Sequence, residues 1–167
     1  MEIEILNLDI IWDLLFEIWD LLRRRKALAV LTITRADYER IVKHCQDEYP
    51  NEACGILAGH KGTVEKIYSM ANAEPSPAFY VMEPQEQFRV MKEMRQVGLE
   101  LVGIYHSHTG SQAYPSATDV SLAYYPEAVY LIVTLLDRKL PASRGFSIVE
   151  GKIAEVRIEV ISGEDGK

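Results

Sequence analysis

The residues of this sequence that could do chemistry are concentrated in one stretch, Tyr105 to Asp119, which reads YHSHTGSQAYPSATD. His106 and His108 are separated by one residue, and Asp119 follows after ten more. If the apolar run that ends at His108 is a β-strand, successive side chains point to opposite faces, so both histidines share one face. Two imidazoles could then converge on one metal ion.

A predicted helix start returns a carboxylate toward the same point. Residues 115–119 read Pro-Ser-Ala-Thr-Asp, which predicts Ser116 as the N-cap and Asp119 at the third helical position. Two neutral imidazole nitrogens and one carboxylate oxygen suit zinc, and three protein ligands leave a fourth tetrahedral position for water. We therefore expect one zinc ion per chain, held by His106, His108 and Asp119 at a catalytic site.

Plainer interpretations of the same residues stay open at this point. The His-Ser-His tripeptide could be ordinary polarity at a strand end, and Ser116 with Asp119 could form a helix cap and nothing more. The interpretations are compatible, because a ligand can also be a cap. The metal hypothesis gains weight because a strand, a loop and a helix start all fall within one short stretch.

Composition limits the classes of protein to which the chain can belong. It has 167 residues, 48% of them hydrophobic, and a formal net charge of -7. That size is typical of one domain with its own core, and the negative charge argues against a nucleic-acid partner. The two cysteines, Cys45 and Cys54, fit neither a disulfide framework nor a Cys-x-x-Cys pair, which favours a cytoplasmic location.

Residues 1–30 are predicted to form an N-terminal extension that is mostly an amphipathic helix. Acidic residues recur through it at helical spacing: Asp9, Asp13, Glu17 and Asp20. They interrupt every apolar run, so none reaches the ~18 residues that a membrane span requires. The basic run from Arg23 to Lys26 follows the apolar region, whereas a secretory signal carries its positive charge before it.

The wide apolar face of this helix needs a cover, and several covers stay open. The main domain, a second copy of the chain or a membrane interface could each provide one, and residues added by a mistaken start codon are another explanation of the segment. The acidic polar face favours burial against protein, because interfacial helices usually carry Lys and Arg there. We expect a homo-oligomer through this helix.

Residues 31–162 have the pattern of one compact domain. We predict a short strand, a helix capped by Thr34 that runs to about Glu48, and a hairpin turning near residues 59–62. A second helix has Pro84 in its first turn and Gly98 as its stop. Two buried strands and a final hairpin follow. The apolar residues noted in the second helix are Phe88, Met91 and Val97, the final turn is at Glu150 and Gly151, and residues 163–167 are expected to be a disordered tail.

The combination of His106, His108 and Asp119, with Ser116 three residues before the aspartate, resembles the signature of the JAMM or MPN-plus metalloproteases. Upstream, NEACGILAGH resembles the glutamate-bearing strand entry of that family, and the order of elements is similar from about residue 31 to residue 161. The resemblance implies an α/β fold, a three-layer α/β/α sandwich of the cytidine-deaminase type with a mixed, mostly antiparallel sheet, and one zinc ion.

The resemblance also implies a role for each residue that matches the motif. His106, His108 and Asp119 match the zinc ligands, and Glu52 matches the glutamate that hydrogen-bonds the zinc water and moves its proton. Ser116 matches the serine that stabilises the tetrahedral intermediate. Spacing alone does not bring Glu52 to the metal, and a solvated carboxylate before a strand is the plain alternative.

A departure from the commoner family pattern points to a subgroup. Thr109 stands where proline usually follows the second histidine, and this form, together with SPAFYVMEP at residues 76–84, resembles the bacterial enzymes that act on ubiquitin-like sulfur-carrier proteins. Such a resemblance implies cleavage after a C-terminal Gly-Gly, with release of cysteine or a short extension. Two glycines are physically sensible there, because a tail without side chains can enter a narrow channel.

Other reactive residues have plainer explanations. Cys54 lies in an apolar strand, where burial makes a thiol inert. His44 and His60 have no partner at ligand spacing. Four tyrosines could line a channel or simply pack: Tyr114, Tyr124, Tyr125 and Tyr130. Two other functions remain open, a catalytically silent scaffold of the same fold and a zinc hydrolase of small amides.

Deleting residues 1–30 is expected to give a smaller species in light scattering that keeps its metal, with activity unchanged or raised. The reason is that each large apolar side chain of the helix gains ~1.5 to 3 kcal/mol on burial, and a neighbouring copy is the expected cover. A deletion variant that unfolds would place the helix in the domain's own core. A deletion variant with unchanged oligomeric mass would refute the oligomer.

Overall fold

The computed structural model describes residues 30–162, and the predicted N-terminal helix and C-terminal tail lie outside them. Ten elements follow in the predicted order: β1 (Val30–Thr34), α1 (Arg35–Asp47), β2 (Cys54–His60), β3 (Thr63–Met70), α2 (Pro84–Gln96), β4 (Glu100–His108), α3 (Ala117–Ser121), β5 (Val129–Thr134), β6 (Ala142–Val149) and β7 (Lys152–Ile161). No helix within residues 30–162 has the length and apolar character needed to cross a membrane.

Local signals in the sequence set the ends of these elements. The hydroxyl of Thr34 accepts a hydrogen bond from the Asp37 amide at 3.1 Å and caps α1. Pro84 is the first residue of α2, and Gly98, with a φ of 77°, follows its end. The tight turns of both hairpins lie at residues with positive φ: Lys61, Gly62, Glu150 and Gly151.

The seven strands of the described region close into a barrel in the order β1-β3-β2-β4-β5-β6-β7, which differs from the open sheet of a three-layer sandwich. Strand β1 causes the closure. It pairs in parallel with β7 over its full length and touches the start of β3 at Thr32 and Thr63. The predicted mixture of pairings is confirmed, because four of the seven are antiparallel: β2 with β3, β2 with β4, β5 with β6, and β6 with β7.

The helices α1 and α2 nevertheless cover opposite faces of the sheet, as a layered fold requires. On β2, Leu57 packs into the core that contains Ile41 and Cys45 of α1. Its neighbour Ile56 packs into the core that contains Val90 and Met94 of α2. Successive residues of a strand point to opposite faces, so β2 lies between the two helices. The prediction of an α/β fold with a mixed sheet between helices is therefore confirmed, and the sheet differs from that of a sandwich in being closed.

The buried face of α2 matches the apolar residues noted in the sequence only in part, since Met91 packs against the core. Val90 and Met94 face the core, whereas Phe88 and Val97 are 67% and 59% exposed. Val90 and Met94 are four residues apart, which places them above one another on one side of the helix. Phe88 is two residues from Val90 and so points away from that side.

Candidate metal centre

His106 and His108 lie at the end of β4, and strand alternation places both imidazoles on one side. They are only 0% and 4% exposed, and their Nε2 atoms are 3.1 Å apart. The Nδ1 atom of His108 lies 2.8 Å from the carbonyl oxygen of Gln112. Because a carbonyl can only accept, the neutral form of His108 carries its hydrogen on Nδ1 and presents the lone pair of Nε2. The predicted placement of the two histidines is confirmed.

Asp119 reaches the histidines from α3, and its position is fixed by the predicted capping box. The hydroxyl of Ser116 accepts from the Asp119 amide at 3.1 Å, and Oδ2 of Asp119 accepts from the Ser116 amide at 2.6 Å. The carboxylate lies 3.4 Å from Nε2 of His106 through Oδ1, and 3.3 Å from Nε2 of His108 through Oδ2. Asp119 is therefore a helix cap and a member of the cluster at once.

Electrostatics favour an ionised Asp119 and a neutral His106, whereas they favour the protonated form of His108. Burial opposes ionisation of Asp119, yet hydrogen bonds from the two histidines hold the pKa of this carboxyl well below its usual range. Burial lowers the pKa of His106. Burial acts the same way on His108, but its bonds to Asp119 and to the Gln112 carbonyl raise the pKa overall. An ionised carboxylate beside an imidazole kept neutral by burial is suited to coordination.

The donor atoms of these residues fit a metal ion. One ligand atom from each of His106, His108 and Asp119 lies within 4.8 Å of the other two. Within residues 30–162, Nδ1 of His106 is the one buried side-chain nitrogen or oxygen atom that has no hydrogen-bond partner. Two imidazoles and one carboxylate that converge in this way form a site that could hold one metal ion.

Glu52 lies two residues before the start of β2 and is buried beside this cluster, with 3% of its surface exposed. Burial raises the pKa of its carboxyl to about 7, and the charges of His108 and Asp119 respectively lower and raise it. Its main chain is held on both sides, since its amide donates to the Ser76 carbonyl at 2.8 Å and its carbonyl accepts from the Asn72 side chain at 3.1 Å. The alternative of a solvated carboxylate is wrong.

Ser116 lies at the exposed rim of the cluster, at the start of α3. Its hydroxyl oxygen accepts the Asp119 amide hydrogen, and a hydroxyl that accepts one bond still has its own hydrogen to donate. The structure thus brings all five residues singled out in the sequence to one region: Glu52, His106, His108, Ser116 and Asp119.

The loop of residues 71–83 makes contacts near the cluster that the sequence did not predict. The ring of Tyr80 stacks on His106, with centroids 4.7 Å apart and planes 29° apart. The hydroxyl of Thr109 donates to the Pro77 carbonyl at 2.9 Å and ties the loop to the end of β4. The only sequence signal for these contacts is the stretch at residues 76–84, whose resemblance to the subgroup gives no contacts.

The other reactive residues of the sequence have structural partners. Burial raises the pKa of the Cys54 thiol to about 12, which makes a thiolate nucleophile unavailable at neutral pH. His44 accepts or donates at 2.9 Å with the hydroxyl of Tyr105, and His60 lies 2.6 Å from Glu65. Among the tyrosines, Tyr130 is buried, Tyr125 is half-buried, and Tyr114 and Tyr124 are exposed.

Known proteins resemble this chain over most of its described length. The family model described as prokaryotic homologs of the JAB domain matches residues 34–147. The chain is 40% identical over 140 residues to the CysO-cysteine peptidases of Mycobacterium bovis and Mycobacterium tuberculosis, which covers 82% of this chain and 96% of each relative. It is 37% identical over 102 residues to a desampylase of Haloferax volcanii, which covers 56% of this chain and 73% of the relative.

Solved structures show the same fold. A protein from Desulfitobacterium hafniense, solved in solution, superposes with a TM-score of 0.73 at 34% identity and covers 81% of this chain and 95% of its own. A JAB1/MPN domain protein from Archaeoglobus fulgidus gives a TM-score of 0.53 at 18% identity, over 78% of this chain and 98% of its own, and shows the fold alone. The fold and the site thus define an α/β domain with a metal-binding group. The chain belongs to the prokaryotic JAB-domain family, which confirms the resemblance read from the motif.

Purified protein is expected to hold about one divalent metal ion per chain, and His106→Ala or Asp119→Ala should lose most of it. Two remaining ligands do not retain the ion against water and buffer. Elemental analysis of the purified proteins measures this. His60→Ala, which removes an exposed histidine outside the cluster, is the matched control and should keep its metal. Equal metal content in the wild type and in a variant that combines His106→Ala with Asp119→Ala would refute the site.

Proposed function

We propose that this chain is a zinc peptidase that hydrolyses the bond after the C-terminal Gly-Gly of a ubiquitin-like sulfur-carrier protein and releases cysteine or a short extension. The chain is a hydrolase of the peptidase class, like its relatives. The observation that carries the substrate is the similarity to the CysO-cysteine peptidases, which extends over 96% of their length. The activity resides at the group formed by His106, His108 and Asp119.

Zinc is the metal that best suits these donors. His106 and His108 offer imidazole nitrogens, Asp119 offers a carboxylate oxygen, and a three-residue set of this kind is typical of catalytic zinc sites. When bound, the ion supplies a Lewis acid that makes water acidic enough to act as a nucleophile near neutral pH. Both imidazoles are buried and are therefore surrounded by protein atoms rather than by solvent.

Glu52 has the position and the pKa expected of the general base. Its carboxylate takes a proton from the attacking water and delivers it to the nitrogen of the leaving amine as the carbon–nitrogen bond breaks, so one water is consumed per bond. Burial raises the pKa of this carboxyl to about 7, which suits a group that accepts and returns a proton near neutral pH. We assign Glu52 this role.

Ser116, the N-cap of α3 beside Asp119, supports the same reaction. Its hydroxyl oxygen accepts a hydrogen bond from the Asp119 amide, so its own hydrogen remains available to donate to another acceptor. A hydroxyl that meets the developing oxyanion contributes up to ~2.7 to 4 kcal/mol, the range measured for single donors elsewhere. We assign Ser116 the stabilisation of the tetrahedral intermediate.

The burial of the site favours a slender substrate. The cluster side chains are 0%, 4% and 8% exposed for His106, His108 and Asp119, so a reacting bond must reach atoms that lie below the surface. Two glycines have no side chains that would block this approach. A carrier tail that ends in Gly-Gly meets this requirement, and the free thiols of Cys45 and Cys54 agree with a cytoplasmic location.

Particular features distinguish the proposed function from the two alternatives. A silent scaffold has no need of a complete set of ligands with a buried glutamate beside them, which this chain has. A hydrolase of small amides would have the same metal centre but would not act on a carrier protein. A neighbouring gene for a carrier ending in Gly-Gly, beside an adenylating or cysteine-synthase-like enzyme, would favour the carrier.

The deciding experiment incubates the zinc-loaded protein with purified carriers that bear either a C-terminal cysteine or a short peptide after Gly-Gly. Intact mass spectrometry should show loss of the added residues and a new carboxylate at the second glycine. A third substrate, a carrier linked through Gly-Gly to a lysine side chain, tests whether the chain also cleaves conjugates of the carrier with other proteins. Release of small amides without carrier cleavage would refute the proposal.

Glu52→Gln is expected to lower turnover by ~10²-fold or more while metal content stays near that of the wild type. Glutamine keeps the size and polarity of the side chain but cannot accept the proton. Glu39→Gln, an exposed glutamate of α1, is the matched control and should retain full activity. Loss of metal in Glu52→Gln would make Glu52 a ligand or a fold residue instead.

A further inference from the structure

The residue between the two histidines faces away from the metal centre and contacts the residue after Glu52. Ser107 is fully buried, and its hydroxyl accepts a hydrogen bond from the Ala53 amide at 2.8 Å. Its own amide donates to the Ala53 carbonyl at 3.0 Å. One residue of β4 thus binds both polar groups of Ala53.

This pair lies one residue beyond the last ladder pair of β2 and β4, and it is unusual in one respect. Cys54 is the partner of His106 in the ladder, so Ala53 lies opposite Ser107. In a regular antiparallel pair, the main-chain carbonyl of Ser107 would accept the Ala53 amide. Here the side-chain hydroxyl does so, at the point where the chain leaves the ladder toward Glu52.

Burial makes this hydrogen bond important. Ser107 and Ala53 are 0% and 1% exposed, so water does not compete for the Ala53 amide. Without the hydroxyl, this amide would be a buried donor with no acceptor, which is unfavourable.

We propose that Ser107 is a positioning residue for the reaction: through Ala53 it fixes the main chain at Glu52 and so sets where the Glu52 carboxylate lies relative to His106 and His108. The inference rests on the proposed function, in which Glu52 moves the proton. The connection is short, because Ser107 is covalently joined to both histidines and Ala53 is covalently joined to Glu52. A shift of ~1 Å between a base and its reacting partner can cost 10²-fold in rate.

The test uses two variants of the full chain. Ser107→Ala removes the acceptor of the Ala53 amide, and Ser107→Cys nearly keeps the side-chain size but substitutes a weaker acceptor, so the core stays filled. Ser69→Ala is the matched control, because the Ser69 hydroxyl accepts from Tyr105, which lies on the same face of β4, and has no bond to Ala53. Metal content, kcat and KM are measured on the carrier substrate for each protein.

The expected result is a kcat lowered by ~10-fold or more in both Ser107 variants, with KM within about 2-fold and metal content unchanged. Ser69→Ala should match the wild type. In a Glu52→Gln background, Ser107→Ala should cause no further loss, because a residue that acts only through Glu52 has nothing left to position. An unchanged kcat in both Ser107 variants would overturn the inference, and so would a loss of the same factor in the Glu52→Gln background.

Crystal structures of the metal-loaded wild type and variants give a readout that does not depend on activity. In the Ser107 variants the Glu52 carboxylate should move relative to His106 and His108, while the two imidazoles keep their places. An unmoved carboxylate would overturn the inference. If the wild type cleaves no carrier, the proposed function fails, and the position of Glu52 in these structures still decides the role of Ser107.

Discussion

The register between β2 and β4 is the constraint on which the site depends. Cys54 lies opposite His106, and Gly55 lies opposite Tyr105. A side chain at position 55 would collide with the Tyr105 ring, so this pairing tolerates only glycine there. A slip of one residue would turn both histidines to the face covered by α1. Because both faces of these strands are buried, the packing of the core determines the register. The register in turn determines the face on which the two histidines lie.

The sequence allows the metal ligands to be predicted because their geometry is local. Strand alternation determines that His106 and His108 share a face, and the capping box determines where the Asp119 carboxylate points. Glu52 is different, because it reaches the cluster only through the pairing of β2 with β4, which are far apart in the chain. No spacing rule covers such a pairing, and the family resemblance alone indicated it.

The same distinction explains what was wrong about the fold. Strands, hairpins and caps follow from neighbouring residues, and the structure has them where predicted. Closure of the barrel depends on β1 pairing with β7, between opposite ends of the described region, and the sequence of β1 alone does not reveal its partner. The exposed Phe88 is a similar case, since a helix with apolar residues on more than one side has several possible buried faces.

Glu52 is held relative to the metal ligands from two sides, and the two connections have different origins. On its C-terminal side, Ala53 binds Ser107 of the ladder. On its N-terminal side, its amide binds the Ser76 carbonyl, and the next residue of that loop, Pro77, binds the Thr109 hydroxyl beside His108. A proline in place of Thr109 has no hydroxyl to make this bond. A main chain that is fixed on only one side of Glu52 would still let this residue rotate. Because hydrogen bonds fix the main chain on both sides, the buried carboxylate keeps one position.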